Sequence, residues 1–230
     1  MLNHNLSTLK QPKEKLMARI KVLGGTGHGG EAVVREAVRR GHAVTSYSRR
    51  PPAEPVEGAD YVIGSLLDDE LLADTVREAD VVFDALSPRG DMEGRVEGLV
   101  ERLLKLADTA GVRLGVLGGA SSLLVSEGGP RLLDVHETHA EVLPEVQTGI
   151  TKLEMLENSP DNLDWFYLSP AASFGAWIPQ NVTGTYRISQ DVLLKDEDGN
   201  SEISGADLAM AVVDEIEQPR NRRRRFHVAH

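Results

Sequence analysis

The apolar run Ile20-Lys21-Val22-Leu23 stops on Gly24-Gly25-Thr26-Gly27-His28-Gly29-Gly30, and apolar side chains at helical spacing follow at once, at Ala32, Val33, Val34, Ala37 and Val38. This pattern fits a buried strand that turns straight into a helix. Gly24, Gly27 and Gly30 each answer a separate need there: a tight turn, close approach of backbone to an anion, and close packing of helix on strand. The helix would begin with free N–H groups and the positive end of its dipole aimed at the turn. With 22 glycines in 230 residues, a glycine triplet alone says little; the strand before it and the helix after it carry the reading. The segment reads as a site for the pyrophosphate of a dinucleotide.

The alternation continues along the chain. Hydrophobic spacing predicts strands at 20–24, 43–48, 60–63, 80–85, 113–118 and 164–168, and helices at 29–40, 68–78, 92–110 and 138–157. Strand-helix alternation implies right-handed crossovers and a single α/β domain, a doubly wound, mostly parallel sheet with helices on both faces. Ligands of such sheets bind outside the carboxyl ends of the strands, so function is expected in the loops at 24–30, 48–52, 64–68, 85–90, 118–122 and 169–177. Residues 1–16 are polar and lack periodicity, which predicts a disordered extension before a domain spanning 17–230.

Composition narrows the partners. A net charge of −11 and a pI near 5.1 disfavour nucleic acid and anionic membranes, and no apolar run is long enough to span a bilayer. The arginines at 220 and 222–225 are expected to be a solvated loop face balancing Asp214, Glu215 and Glu217. The absence of cysteine excludes disulfides, thiolate metal sites and cysteine nucleophiles, and fits a cytoplasmic protein. His136 and His139 stand three apart around Glu137 but lack an evident third ligand, so no metal site is expected.

The end of the second expected strand indicates which dinucleotide. An NAD site usually has an acid there for the ribose 2′-hydroxyl, whereas Ser48-Arg49-Arg50 offers a hydroxyl and two guanidinium groups suited to a 2′-phosphate. NADP is expected, with NAD the alternative. The cofactor-binding set is Gly24, Gly25, Thr26, Gly27, His28, Gly29, Gly30, Ser48, Arg49, Arg50, Leu66, Ala85, Leu86, Ser87 and Gly119.

With these segments in view, the chain resembles the atypical short-chain dehydrogenase/reductases. The resemblance rests on Gly-Gly-Thr-Gly-x-x-Gly at 24–30, Ser-Arg-Arg at 48–50, Val-Leu-Gly-Gly-Ala-Ser-Ser at 116–122 and Leu-Asp-Trp-Phe-Tyr-Leu-Ser-Pro-Ala-Ala at 163–172, and runs from about Ala18 to the C-terminus. More narrowly, it is similar to the NmrA-like, NAD(P)H-binding group that includes proteins described as NADH-flavin reductases. That likeness implies a Rossmann-type domain and, in many relatives, a homodimer through helices at 92–110 and 138–157.

Two departures from the family pattern bear on chemistry. Ser65 stands where relatives commonly carry an acid after the third strand. No tyrosine is followed four residues on by lysine, the pair with which standard members move a proton: Tyr47, Tyr61, Tyr167 and Tyr186 are followed by Pro51, Ser65, Ala171 and Gln190. Lys152 is preceded by Thr148, whose hydroxyl is far too weak an acid to replace a phenol. Alcohol–carbonyl chemistry is thereby disfavoured, while hydride transfer to a flavin or quinone-like acceptor stays open because such a ring delocalises the incoming charge. Ser121 is the expected hydrogen-bond donor to that acceptor, and Phe174 and Trp177 are expected in a loop over the pocket mouth. An NADP(H)-binding regulator without turnover is the alternative.

Overall fold

The computed structural model describes residues 17–230; the extension expected at 1–16 lies outside them. Among the described residues, eight strands form one sheet: β1 (Arg19–Leu23), β2 (Ala43–Ser48), β3 (Ala59–Ile63), β4 (Val81–Asp84), β5 (Arg113–Leu117), β6 (Trp165–Ser169), β7 (Arg187–Ser189) and β8 (Arg224–Ala229). Their order is β3-β2-β1-β4-β5-β6-β8-β7, and every pairing is parallel except β7 on β8. The helices are α1 (His28–Arg39), α2 (Asp69–Asp74), α3 (Val96–Ala110), α4 (Leu132–Val135), α5 (Leu143–Glu157) and α6 (Gly205–Glu217).

Successive residues of a strand point to opposite faces, and the central strands are covered on both. Val22 and Phe83 pack under α1 and α6 with Val33, Val34, Leu208 and Val212, while their neighbours Leu23 and Val82 pack on the other side with Leu99, Leu103 and Leu156 of α3 and α5. Strand order reverses between β1 and β4, so the loops that follow these two strands diverge and leave a crevice. That crevice holds the candidate site.

Helix boundaries depart from the expected ones for local reasons. Helix α2 begins after Asp68, whose carboxylate accepts from the N–H groups of Glu70 (3.0 Å) and Leu71 (2.9 Å), and it ends at Asp74 rather than 78. The helix expected at 92–110 is broken by Gly94, whose φ of +66° is left-handed; a short 3₁₀ turn, Gly90–Met92, precedes α3. The helix expected at 138–157 starts only at Leu143, with Pro144 in its first turn, where a missing N–H costs nothing.

Strands β7 and β8 were not expected, and the arginine run is a solvated face only in part: Arg220, Arg222 and Arg224 are exposed, but Arg222, Arg223 and Arg225 also have partners within the fold. Arg222 pairs with Asp164, Arg223 donates to the carbonyls of Pro160 (2.6 Å) and Leu163 (3.0 Å), and Arg225 reaches Asp191 (2.6 Å) and the Ser122 hydroxyl (2.8 Å). Asp214 and Glu217 take Arg40 instead, at 2.6 and 3.0 Å, and Glu215 takes Arg113 at 2.5 Å. The run therefore fastens β8 to the rest of the sheet, which periodicity across four arginines could not reveal.

His227 of β8 is wholly buried. Its Nε2 accepts from the Leu194 N–H at 3.0 Å and its Nδ1 meets the Ser169 carbonyl at 3.0 Å, which a neutral ring protonated on Nδ1 satisfies. Burial holds its pKa below the ordinary 6.5. Below that value the unfolded chain binds a proton that the folded chain refuses, so stability should rise with pH up to about 6.5 and then level. Urea midpoints measured from about pH 5 to about pH 7.5 should show that slope, and His227→Gln should flatten it; an unchanged slope would remove His227 from the account.

Candidate functional site

The turn from β1 into α1 is built on missing side chains. Gly24 has a left-handed φ of +78°, and a Cβ there would lie 2.9 Å from the Ala85 carbonyl oxygen. At Gly25 a Cβ would come within 2.3 Å of the Ser46 hydroxyl, and at Gly30 within 2.3 Å of the Gly24 carbonyl oxygen. The turn is closed by Gly24 N–H donating to the Tyr47 carbonyl (2.9 Å), Gly27 N–H to Gly24 (3.0 Å) and Glu31 N–H to Gly27 (2.7 Å). Gly27 caps α1 without a side chain, and the N–H groups of His28, Gly29 and Gly30 have no acceptor within the helix. An uncovered row of donors at a helix start is the backbone arrangement a pyrophosphate requires.

These residues form one wall of a cavity of about 490 Å³. Gly24, Thr26, Gly27, His28 and Gly29 line it from the turn, Ser48 and Arg49 from the end of β2, Gly64 and Leu66 from the loop after β3, and Ala85, Leu86 and Ser87 from the loop after β4. Leu117, Phe174, Gly175, Ala176 and Trp177 form its apolar end. An adjoining cavity of about 650 Å³ is lined by Thr26, Arg49, Arg50, Arg89, Gly90 and Asp91. Gly25 and Gly30 stand behind the wall as packing positions.

Gly119 and Ser121 line neither cavity. The chain after β5 is drawn aside by a small apolar cluster, Ala120, Leu123 and Leu193 against Leu132, and the Ser121 carbonyl accepts from the Leu133 N–H at 2.9 Å. Gly119 N–H donates to the Tyr167 hydroxyl, 3.2 Å away. From this segment only Leu117, which was not among the expected contacts, lines the cavity.

Charges on the rim are paired across the opening. Arg49 meets Asp91, and Arg89 meets Glu145 at 2.6 Å, while the Ser87 hydroxyl donates to the other Glu145 oxygen at 3.3 Å. Arg89, Met92 and Glu145 escaped the sequence reading. Arg89 lay within an expected functional loop, but nothing in the local pattern places Glu145, the third residue of a long helix, beside it.

Beneath the opening, Lys152 and Asp84 form a buried ion pair at 2.8 Å. The pair grips one peptide segment from both sides: Lys152 donates to the Leu86 carbonyl (2.9 Å), and Asp84 accepts from the Leu86 N–H (2.9 Å). Lys152 therefore shapes the loop after β4. Thr148, one turn earlier, donates to Glu97. Tyr167 is buried behind Gly118, and burial pushes its pKa up to about 12. His28, which does line the cavity, lies 5.1 Å from the Phe174 ring; burial lowers its pKa, and its Nε2 is buried without a hydrogen-bond partner. An orphaned polar atom beside an uncovered row of N–H donors fits a site shaped for a polar cofactor.

Because Asp84 is fully buried, removing its cation leaves an uncompensated charge. Lys152→Met should cost about 3–5 kcal/mol in urea unfolding, whereas Lys152→Met combined with Asp84→Leu should cost much less. Equal losses in the two variants would mean that the pair does not act as a unit.

The comparisons with known proteins agree with this geometry. A family model described as NAD(P)H-binding matches residues 24–219. YwnB of Bacillus subtilis is 35% identical over 212 residues, which cover 91% of this chain and 97% of YwnB. Among solved structures, a putative NADH-flavin reductase from Streptococcus pneumoniae superposes with a TM-score of 0.77 at 29% identity, covering 93% of this chain and 99% of its own. A putative epimerase from Bacteroides thetaiotaomicron superposes with a TM-score of 0.80 at 30% identity, covering 94% and 98%. With the glycine turn, the crevice at the strand-order reversal and a match over most of its length, the chain belongs to the NAD(P)H-binding family, and its fold is of the Rossmann type.

Proposed function

We propose that the protein is an NADPH-dependent oxidoreductase that reduces a flat acceptor of the flavin or quinone type. The observation that carries the cofactor half is the wall of the two cavities. Uncovered N–H groups of the turn stand beside Arg49 and Arg50, and the end of β2 offers Ser48 in place of a carboxylate. A carboxylate there would repel a 2′-phosphate; two guanidinium groups attract it. The S. pneumoniae neighbour is named for NADH, so the preference for NADPH rests on this chain's own arginines.

When bound, the nicotinamide supplies a hydride. The chain's residues would do the rest. Leu117, Phe174 and Trp177 offer an apolar end on which a planar ring can lie, and Trp177 is 73% exposed at the cavity. His28, held neutral by its burial, adds a polar edge without adding charge. The polar group Ser87, Arg89 and Glu145 would orient the acceptor in place of Ser121, which lines neither cavity. No tyrosine–lysine pair is needed, because a flavin or quinone ring spreads the incoming charge and takes its proton from water.

The cysteine-free, acidic composition fits a cytoplasmic protein that works apart from nucleic acid and membranes. Among the described residues, no helix is long and apolar enough to cross a membrane. Helices α3 and α5 would supply the face of a homodimer. The missing proton-transfer pair favours a second reading, an NADP(H)-binding regulator that does not turn over.

Titration with NADPH and NADH, followed by NADPH oxidation assays with free FMN and with menadione, separates these readings. Arg49→Ala/Arg50→Ala should lose about 10- to 100-fold in NADPH affinity and little for NADH, the range for losing charge-assisted hydrogen bonds. Trp177→Ala should raise the acceptor KM by about 5- to 10-fold with cofactor affinity unchanged. Binding without turnover on any acceptor would leave the regulator, and no binding of either nucleotide would sink both.

A further inference from the structure

We propose that Asp91 tunes the 2′-phosphate affinity of this site, by holding Arg49 in the free protein and releasing it to the incoming phosphate. The inference rests on the NADPH reading above. Asp91 is the only acid among the six residues lining the second cavity, and its carboxylate engages Nη1 of Arg49. Among the described residues Arg49 has no other side-chain partner, and neither has Asp91. Both ends of the pair are half exposed, at 46% and 56%, so the contact can exchange without dismantling packed structure.

The placement of Asp91 is set by its neighbours in the chain. Gly90 takes a left-handed φ of +65°, and a Cβ there would sit 3.9 Å from Arg49 Nη1, so the guanidinium lies over this glycine. Met92 is buried and anchors the segment from the other side. The turn between them delivers a carboxylate to the cation that a 2′-phosphate would need. Arg89, the third guanidinium of the cavity, is held by Glu145, while the Arg50 side chain forms no ion pair among the described residues. Of three guanidinium groups facing one cavity, two are therefore occupied by carboxylates.

A phosphate that binds Arg49 must displace Asp91 and then tolerate its charge nearby; NADH, which carries an uncharged hydroxyl in place of the 2′-phosphate, meets neither cost. Asp91 should thus weaken NADPH selectively. An asparagine keeps the shape of the side chain and removes the charge.

Calorimetric titrations with NADPH and NADH of the wild type, Asp91→Asn, Arg49→Ala and the Arg49→Ala/Asp91→Asn double variant test this, at about 50 mM and about 300 mM salt. Asp91→Asn should tighten NADPH by about two- to fivefold at the lower salt, the range for an exposed ion pair, with a smaller gain at the higher salt. NADH affinity should not change, which also reports an intact fold. The gain should vanish when Arg49 is already alanine. NADPH affinity that is unchanged or weaker in Asp91→Asn, while Arg49→Ala abolishes the NADPH preference, would overturn the inference and leave the cofactor reading standing. Equal affinity for the two nucleotides in both the wild type and Arg49→Ala would overturn the cofactor reading and this inference with it.

Discussion

Helix α1 can start where it does only because Gly30 has no side chain. The Gly24 carbonyl oxygen lies 2.3 Å from where a Cβ of Gly30 would be, and Gly25 has the Ser46 hydroxyl at the same distance. Backbone packs on backbone at this turn, and that contact brings the N-terminus of α1 up against the ends of β1 and β4. The cavity wall, its uncovered N–H groups and the orientation of α1 across the sheet all follow from it. Val33, Val34 and Ala37 then meet the α6 side chains Leu208 and Val212 to close one face of the core.

The opposite wall is held by charge rather than by close packing. Asp84 and Lys152 are sequestered beneath the Leu86 peptide and hydrogen-bond both its N–H and its carbonyl, so the loop after β4 is fixed in a conformation its own residues do not dictate. Buried pairs of this kind rarely add net stability over an apolar alternative, so shaping a loop is the better account of its presence. Lys152 is committed to Asp84, and Thr148, one turn earlier, to Glu97.

Above these fixed walls lies a rim of exchangeable pairs, Arg49 with Asp91 and Arg89 with Glu145. Exposed pairs are weak individually. Their weakness suits a cofactor groove, because a bound anion can replace a carboxylate on an arginine at little cost in folding stability. The apolar end with Phe174 and Trp177 is likewise open, so the rigid part of the cavity is its glycine turn and the loop after β4, and the adaptable part is its rim.

The pattern of apolar residues along the chain determined the doubly wound sheet, the glycine turn and the basic end of β2, because period and spacing are local properties and each strand of a parallel sheet carries its own apolar run. Six of the eight strands among the described residues, and most of the loops that line the cavity, were legible in this way. The tertiary structure alone decided the rest. Glu145 reaches Arg89, Asp91 reaches Arg49, and Asp84 finds Lys152 across long stretches of chain, and no local period encodes such partners. Arg222, Arg223 and Arg225 read as solvent-facing for the same reason: their acceptors are the carbonyls of Pro160 and Leu163 and the side chains of Asp164 and Asp191, far away in sequence. Ser121 lines neither cavity, and its loop packs on a three-residue apolar cluster, a balance of packing that shows only once the elements are in contact.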